Sequence, residues 1–190
     1  MNKIKTLLLL AITCMAAVSC MKEKREATYN SQESKIDQYI NSKMYVTRTE
    51  DGQTLTDTLR VVYNGGASRL IVKEGTGEEL KAGGTVSIYY AGYSFTSSKS
   101  YSNLFATNHQ ETATAAKWTL SDTDYTPYTI DLRDSEIIEG LYDGLIGVRS
   151  GEECQILFSG KYGFGKKPLG IVPANSAILF EIWVEGVSNE

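Results

Sequence analysis

The stretch Ile137-Ile138-Glu139-Gly140-Leu141-Tyr142-Asp143-Gly144-Leu145-Ile146-Gly147-Val148 decides the fold class. Ile137, Leu141, Leu145 and Val148 recur at helical spacing, and Gly140, Gly144 and Gly147 keep that helix short. On either side of it the apolar period drops to two. Residues 85–90 and 155–159 alternate, and over 178–187 Phe180, Ile182 and Val184 oppose Leu179, Glu181, Trp183 and Glu185. Several antiparallel strands around one short helix predict an α+β domain.

Composition sets the outer limits. The chain has 190 residues, 42% of them hydrophobic and 22% charged, which suits one folded domain with accessory segments. A formal net charge of −4 supplies no basic footprint for a phosphate backbone, so nucleic acid is not expected as a partner. The single His leaves no material for a multi-His metal site or proton relay, and neither metal nor cofactor is expected.

The first nineteen residues read as an address. Lys3 and Lys5 form a basic start, Leu7 to Ile12 an apolar run too short to span a bilayer comfortably, and Ala17-Val18-Ser19-Cys20 comes next. A small residue before a Cys resembles the lipobox of bacterial lipoproteins, in which the thiol is acylated, although Ala17 stands where Leu is more usual. That resemblance implies lipidation at Cys20 and a lipid-anchored protein of the cell envelope, with the outer membrane facing the periplasm as its expected place. An ordinary secretory signal cleaved nearby is the other reading. Removing residues 1–19 takes away Lys3 and Lys5 and no acid, deepening the charge to −6. It also leaves Cys154 with no intrachain partner once Cys20 is acylated, and its alternating context reads as a small buried hydrophobe.

Residues 20–33 are polar and charged and read as a flexible tether. Residues 34–67 form an accessory segment. In it Ser34 can cap a helix carrying Ile36, Tyr39 and Ile40, and two extended stretches, 44–48 and 58–63, are separated by the turn signal Asp51-Gly52. A turn at Asn64-Gly65-Gly66 then leads into residues 68–74.

Three polar signals have plainer structural explanations. Gly75-Thr76-Gly77 lacks the third Gly and the Lys of a phosphate loop and reads as a strand-to-strand turn. His109, within the polar stretch 107–126, reads as a solvated loop residue rather than a general base. Asp131, Asp134, Glu136 and Glu139 read as charges favoured at a helix entry, not as an acid–base pair. What remains is an unusual set of aromatics and aliphatic doublets near glycines: Tyr90, Phe105, Tyr128, Tyr142, Tyr162, Phe164 and Phe180, with Ile137-Ile138 and Ile171-Val172.

The order of these pieces resembles an FKBP-type peptidyl-prolyl cis-trans isomerase domain over residues 68–188. Val86-Ser87-Ile88-Tyr89-Tyr90-Ala91-Gly92 is similar to the family's V-x-V-x-Y-x-G strand, and Phe105 to the Phe of its F-D-S-S segment. Pro127-Tyr128-Thr129-Ile130-Asp131-Leu132 is similar to P-F-x-F-x-L, and residues 136–148 match V-I-x-G-W-x-x-G-L-x-G-M without a gap. Tyr162-Gly163-Phe164-Gly165 is similar to Y-A-Y-G, and residues 170–180 to G-I-I-P-P-N-A-x-L-x-F.

The resemblance implies an antiparallel β-sheet wrapped around one short α-helix, here with an N-terminal helix and strand extension. It implies a prolyl isomerase acting on proline-containing polypeptides, with Tyr90, Phe105, Tyr128, Phe164 and Phe180 as the catalytic aromatics. Ile137, Ile138, Leu141, Ile171 and Val172 would line the substrate cup. Such catalysis needs no nucleophile or metal. A dry cup holds the proline ring and favours the twisted amide over the planar one, against a barrier of ~18–20 kcal/mol. The departures fall on the polar rim and the floor. Ala106 stands where the family has an acid, Phe164 where it has a tyrosine hydroxyl and Leu141 where it has Trp. About thirteen additional residues between Phe105 and Pro127 are expected to cover or reshape the mouth. A peptide-binding or chaperone module with little turnover is the alternative that these departures keep open.

Overall fold

The computed structural model describes the backbone of residues 2–50 and 53–190, and side chains from Met21 onward apart from Arg48 and Glu50. The Asp51-Gly52 turn and the Cys20 side chain lie outside the described residues. Helix α1 (Asn2–Lys43) leads into strands β1 (Tyr45–Glu50), β2 (Gln53–Thr58), β3 (Val61–Asn64), β4 (Ala67–Lys73), β5 (Thr85–Phe95) and β6 (Leu104–Thr107). Helix α2 (Gln110–Ala115), β7 (Tyr128–Asp131), α3 (Glu139–Leu145), β8 (Glu153–Phe158) and β9 (Ala177–Ser188) complete the chain.

Strands β1 and β2 form a hairpin of their own, with Glu50 opposite Gln53. The other seven make one antiparallel sheet in the order β3-β4-β8-β9-β5-β6, with β7 also pairing β5. The fold class expected from the alternating strands and the single central helix is the one observed. The extended stretch expected over 58–63 is split. Leu59 N–H returns to the Met44 carbonyl, so β2 ends at Thr58 and the main sheet begins with β3.

The period-two pattern gives the sheet two apolar faces, and both are covered. On one, Ile156, Phe158, Ile178, Phe180 and Ile182 pack under α3. Gly140 and Gly144 are what let that helix lie so close, because a Cβ at either would run into Phe158 or Ile156. On the reverse face Tyr93, Phe95, Leu157 and Leu179 pack against Ile36, Tyr39 and Ile40 of α1.

Residues 20–33 differ from the flexible tether expected of them: α1 runs through them without a break. The reason is propensity as well as contact. No Gly or Pro occurs before Gly52, and Lys, Glu, Arg, Ala and Gln are good helix formers. Tyr29 lies on the same stripe as Ile36, Tyr39 and Ile40 and is buried with them. The helix expected from Ser34 is therefore the end of a longer one. Its polar side chains are anchored too. Tyr29 Oη donates to Asn175 Oδ1 at 2.9 Å, Gln32 Nε2 to the Asn175 carbonyl at 2.8 Å, and Gly160 N–H to Gln32 Oε1 at 2.8 Å.

The four carboxylates expected at the helix entry also divide. Only Glu139 lies in the first turn of α3. Asp131 ends β7 and chelates Arg133, while Asp134 accepts the Glu136 N–H. Cys154 is buried and free, and burial pushes its thiol well above the ordinary value, as suits a packing residue.

Candidate active site: an aromatic cup under the short helix

Five rings form an arc on the α3 side of the sheet. Phe180, on β9, is the hub. Its ring centroid lies 5.8 Å from Phe105 and 6.4 Å from Tyr90, both in edge-to-face geometry. Phe105 continues to Phe164 at 5.6 Å, and Tyr90 to Tyr128 at 6.3 Å. Gly92 makes the hub possible, since a Cβ there would meet Phe105 at 2.6 Å and Phe180 at 2.8 Å.

Four of these rings, Tyr90, Phe105, Tyr128 and Phe180, enclose with Leu141 a chamber of about 210 Å³, whose wall is completed by Ile88, Ala106, Ile130 and Ile182. A neighbouring cleft of about 280 Å³ shares Tyr128, Ile130, Leu141 and Phe180 with it and adds Ile137, Ile138 and Phe164. Eight of the ten residues singled out for the cup are thus brought together. The other two line neither space, although Val172 lies in the same buried cluster as Phe180. Leu169 and Val172 exchange backbone hydrogen bonds at 3.0 and 2.9 Å, closing a tight turn that leaves Ile171 60% exposed and Val172 in the core.

Ile88, Ile130 and Ile182 stand outside the family motifs' site positions, yet the period-two signal contains them. Each is two residues from an aromatic of the arc on the same strand.

Polar groups in the chamber are few, while the cleft beside it is also lined by Thr129, Asp131, Asp134 and Glu136. Burial first, and then neighbouring Tyr128, push the Tyr90 phenol above its ordinary value, so it stays protonated and able to donate. Among the described residues neither the Tyr90 nor the Tyr128 hydroxyl has a hydrogen-bond partner. Ala106 offers Tyr90 no carboxylate. At the N-cap of α3, Ile138 has no side-chain capping bond, and its carbonyl already receives Leu141 and Tyr142. Such a site can bury an apolar ring and offer hydroxyls to a carbonyl. Among the described residues no group of three His, Cys, Asp or Glu is placed to hold a metal ion.

Comparison with known proteins gives this arrangement its family. A sequence profile described as FKBP-type peptidyl-prolyl cis-trans isomerase matches residues 76–185. The chain belongs to that family. FK506-binding protein 1 of Aspergillus oryzae is 25% identical over 117 residues, which are 62% of this chain and 94% of that protein. FK506-binding protein 4 of Aspergillus fumigatus is 30% identical over 131 residues, 69% of this chain but 23% of that longer protein. In fold, the chain is similar to FkpA from Escherichia coli, with a TM-score of 0.52 and 19% identity over 94% of this chain and 70% of that one.

Against the family's pattern, the insertion 107–126 does not do what its position suggested. None of its residues lines the chamber or the cleft. Thr107 Oγ1 donates to the Tyr90 carbonyl at 2.7 Å, and buried Asn108 lies next to it. From there the segment turns to the reverse face, where Thr112 and Ala113 are buried and Trp118 packs against the α1 cluster. His109 is no solvated loop residue either. It stacks on Trp183 at 3.8 Å with an interplanar angle of 11°. The polar run hid these contacts because its apolar residues have no regular spacing.

Proposed function

We propose that this chain isomerises X-Pro bonds in secreted or envelope polypeptides while held to the membrane by a lipid on Cys20. The observation that carries the catalytic part is the ring arc around a small chamber whose lining side chains have no charge. A prolyl peptide has cis and trans forms within ~0.5–1 kcal/mol, so the task is only to lower the barrier between them. The planar amide is more charge-separated than the twisted one. A dry wall of Phe105, Leu141 and Phe180 around the proline therefore favours the twisted state, and the Tyr90 and Tyr128 hydroxyls are available to the rotated carbonyl.

The anchor rests on the sequence around Cys20. Because α1 is continuous, the link from the anchor to the domain is a helix rather than a loose tether. The nine residues from Cys20 to Tyr29, the first buried contact, would act as an arm of about 14 Å. Among the described residues no helix is both long and apolar enough to cross a membrane. A thioether-linked lipid would supply the attachment instead, at ~0.8 kcal/mol per buried methylene. This reading puts the protein at the outer membrane, facing the periplasm.

A protease-coupled assay on a short prolyl peptide tests the enzyme reading. Turnover that falls in a folded Tyr90→Ala variant supports it, and no acceleration by the wild-type chain defeats it. Replacing Cys20 by Ala should release the protein from membranes, and persistence there after a high-salt wash would remove the lipid. The bare rim at Ala106 and Phe164 favours a second reading, a peptide-binding module with little turnover. Binding of an unfolded polypeptide without acceleration would select it.

A further inference from the structure

On the reverse face, away from the cup, the insertion builds a second cavity of about 320 Å³. Its walls are Tyr89, His109, Tyr125 and Trp183, with Glu111 and Glu185. Three features suit it to a cation. The rings are close-set: His109 stacks on Trp183, and Tyr89 meets His109 edge-on at 6.3 Å. The charges are negative and unspent. Nearby Glu153 and Glu181 are bridged by Lys73 and Lys99, whereas Glu111 and Glu185 have no ion-pair partner among the described residues. Glu185 also sits at a register shift, where Ser87 faces Gly186 and Ile88 faces Val184, and such a bulge re-aims its side chain.

The third feature is His109 itself. Its Nδ1 lies 3.0 Å from the Thr112 hydroxyl, which holds the ring in the wall. Burial lowers its affinity for a second proton, so it sets no opposing positive charge against a cation.

We propose that this cavity binds an arginine side chain of a polypeptide. The two carboxylates, Glu111 and Glu185, suit the N–H fork of a planar guanidinium, and the aromatic rings of the wall offer it a face. A metal is a poorer occupant, as no three ligating groups converge among the described residues. Anions meet the two carboxylates. Lysine would present one compact charge, with neither the fork for two carboxylates nor the flat face for the rings.

The test is an NMR titration of the full chain in detergent micelles. The Trp183 indole N–H signal, identified by its loss in Trp183→Phe, is tracked as a proline-free peptide Ac-Gly-Gly-Arg-Gly-Gly-NH2 is added. A saturable shift with Kd about 1 mM is expected, weakened at least tenfold in Glu111→Gln/Glu185→Gln. Both carboxylates are exposed, so that variant should keep the wild-type fold, checked by its unfolding midpoint. The neutral citrulline peptide should give no saturable shift, and the lysine peptide should bind more weakly. No saturation by about 20 mM arginine peptide overturns the site. An equal response to the citrulline peptide, or an unaltered affinity in the double variant, overturns the role of charge. Equal binding of the lysine peptide overturns the choice of arginine.

Discussion

Asn108 Oδ1 accepts the backbone N–H of Tyr90 at 2.6 Å. Strand β7 covers β5 from Thr85 to Ile88 and β6 covers it from Ala91 to Tyr93, so Tyr89 and Tyr90 have no strand beside them on that edge. The Asn108 side chain fills the gap. Its Nδ2 donates to the Ile88 carbonyl at 3.1 Å and to the Thr126 carbonyl at 2.9 Å. One amide thus closes the sheet edge, ties the insertion to the start of β7 and sets the backbone of a cup aromatic.

Asn108→Ala should therefore cost about 2–4 kcal/mol, since it leaves buried backbone groups unpaired. Urea unfolding measures this. At equal folded fraction, kcat/KM on a prolyl peptide should also fall several-fold, because Tyr90 loses its support. A variant that loses stability but retains full turnover would show that Asn108 merely fastens the insertion.

Restoring the family's rim should act in the opposite direction. Phe164→Tyr and Ala106→Asp are each expected to raise kcat/KM by up to about tenfold, or ~1.4 kcal/mol, near the upper range of one neutral hydrogen bond. Ala106 lines the same chamber wall as Tyr90, so a carboxylate there gains a phenol donor. Unchanged turnover in the folded double variant would favour the peptide-binding reading.

Arg69 and Glu152 make a buried pair, 3% and 0% exposed, with Nε and Oε1 3.3 Å apart. Arg69 also donates Nη1 to the Gly144 and Ile146 carbonyls at 2.8 and 2.7 Å, holding the end of α3 to the sheet. Arg69→Ala should cost about 3–5 kcal/mol, because Glu152 is left buried without its counter-charge. Removing both should cost much less than the sum of the single changes. Additive losses in that double-mutant cycle would rule out coupling.

His109 gives stability a pH dependence of known sign. Its affinity for a proton is lower in the folded chain, first through burial, against the opposing pull of Glu111, Glu181 and Glu153. The folded state then binds fewer protons than the unfolded one. The contribution is fully present above the unfolded value of about 6.5 and is lost as pH falls from there towards the lower folded value. Urea midpoints measured from pH 8 to 5 should show this decline, and His109→Gln should flatten it. An equal slope in the variant would place the titration elsewhere.

The sequence by itself determined the sheet, the short helix and most of the cup. Period-two alternation puts Tyr90 and Ile182 on one face and Tyr89 and Trp183 on the other whatever the strands pair with, and the glycines of 137–148 mark the close helix contact. These are local signals, readable because neighbouring residues impose them. Tertiary structure alone decided the rest. That α1 continues through 20–33 depends on Tyr29 and Gln32 meeting Asn175, roughly 145 residues away. That Ile171 turns outwards depends on the Leu169–Val172 turn. That residues 107–126 leave the cup open and wall a cavity behind the sheet depends on Asn108 reaching a gap between two strands. The first and last of these outcomes are set by hydrogen bonds between separate segments and the second by a tight turn, and none of them leaves a periodic trace along the chain.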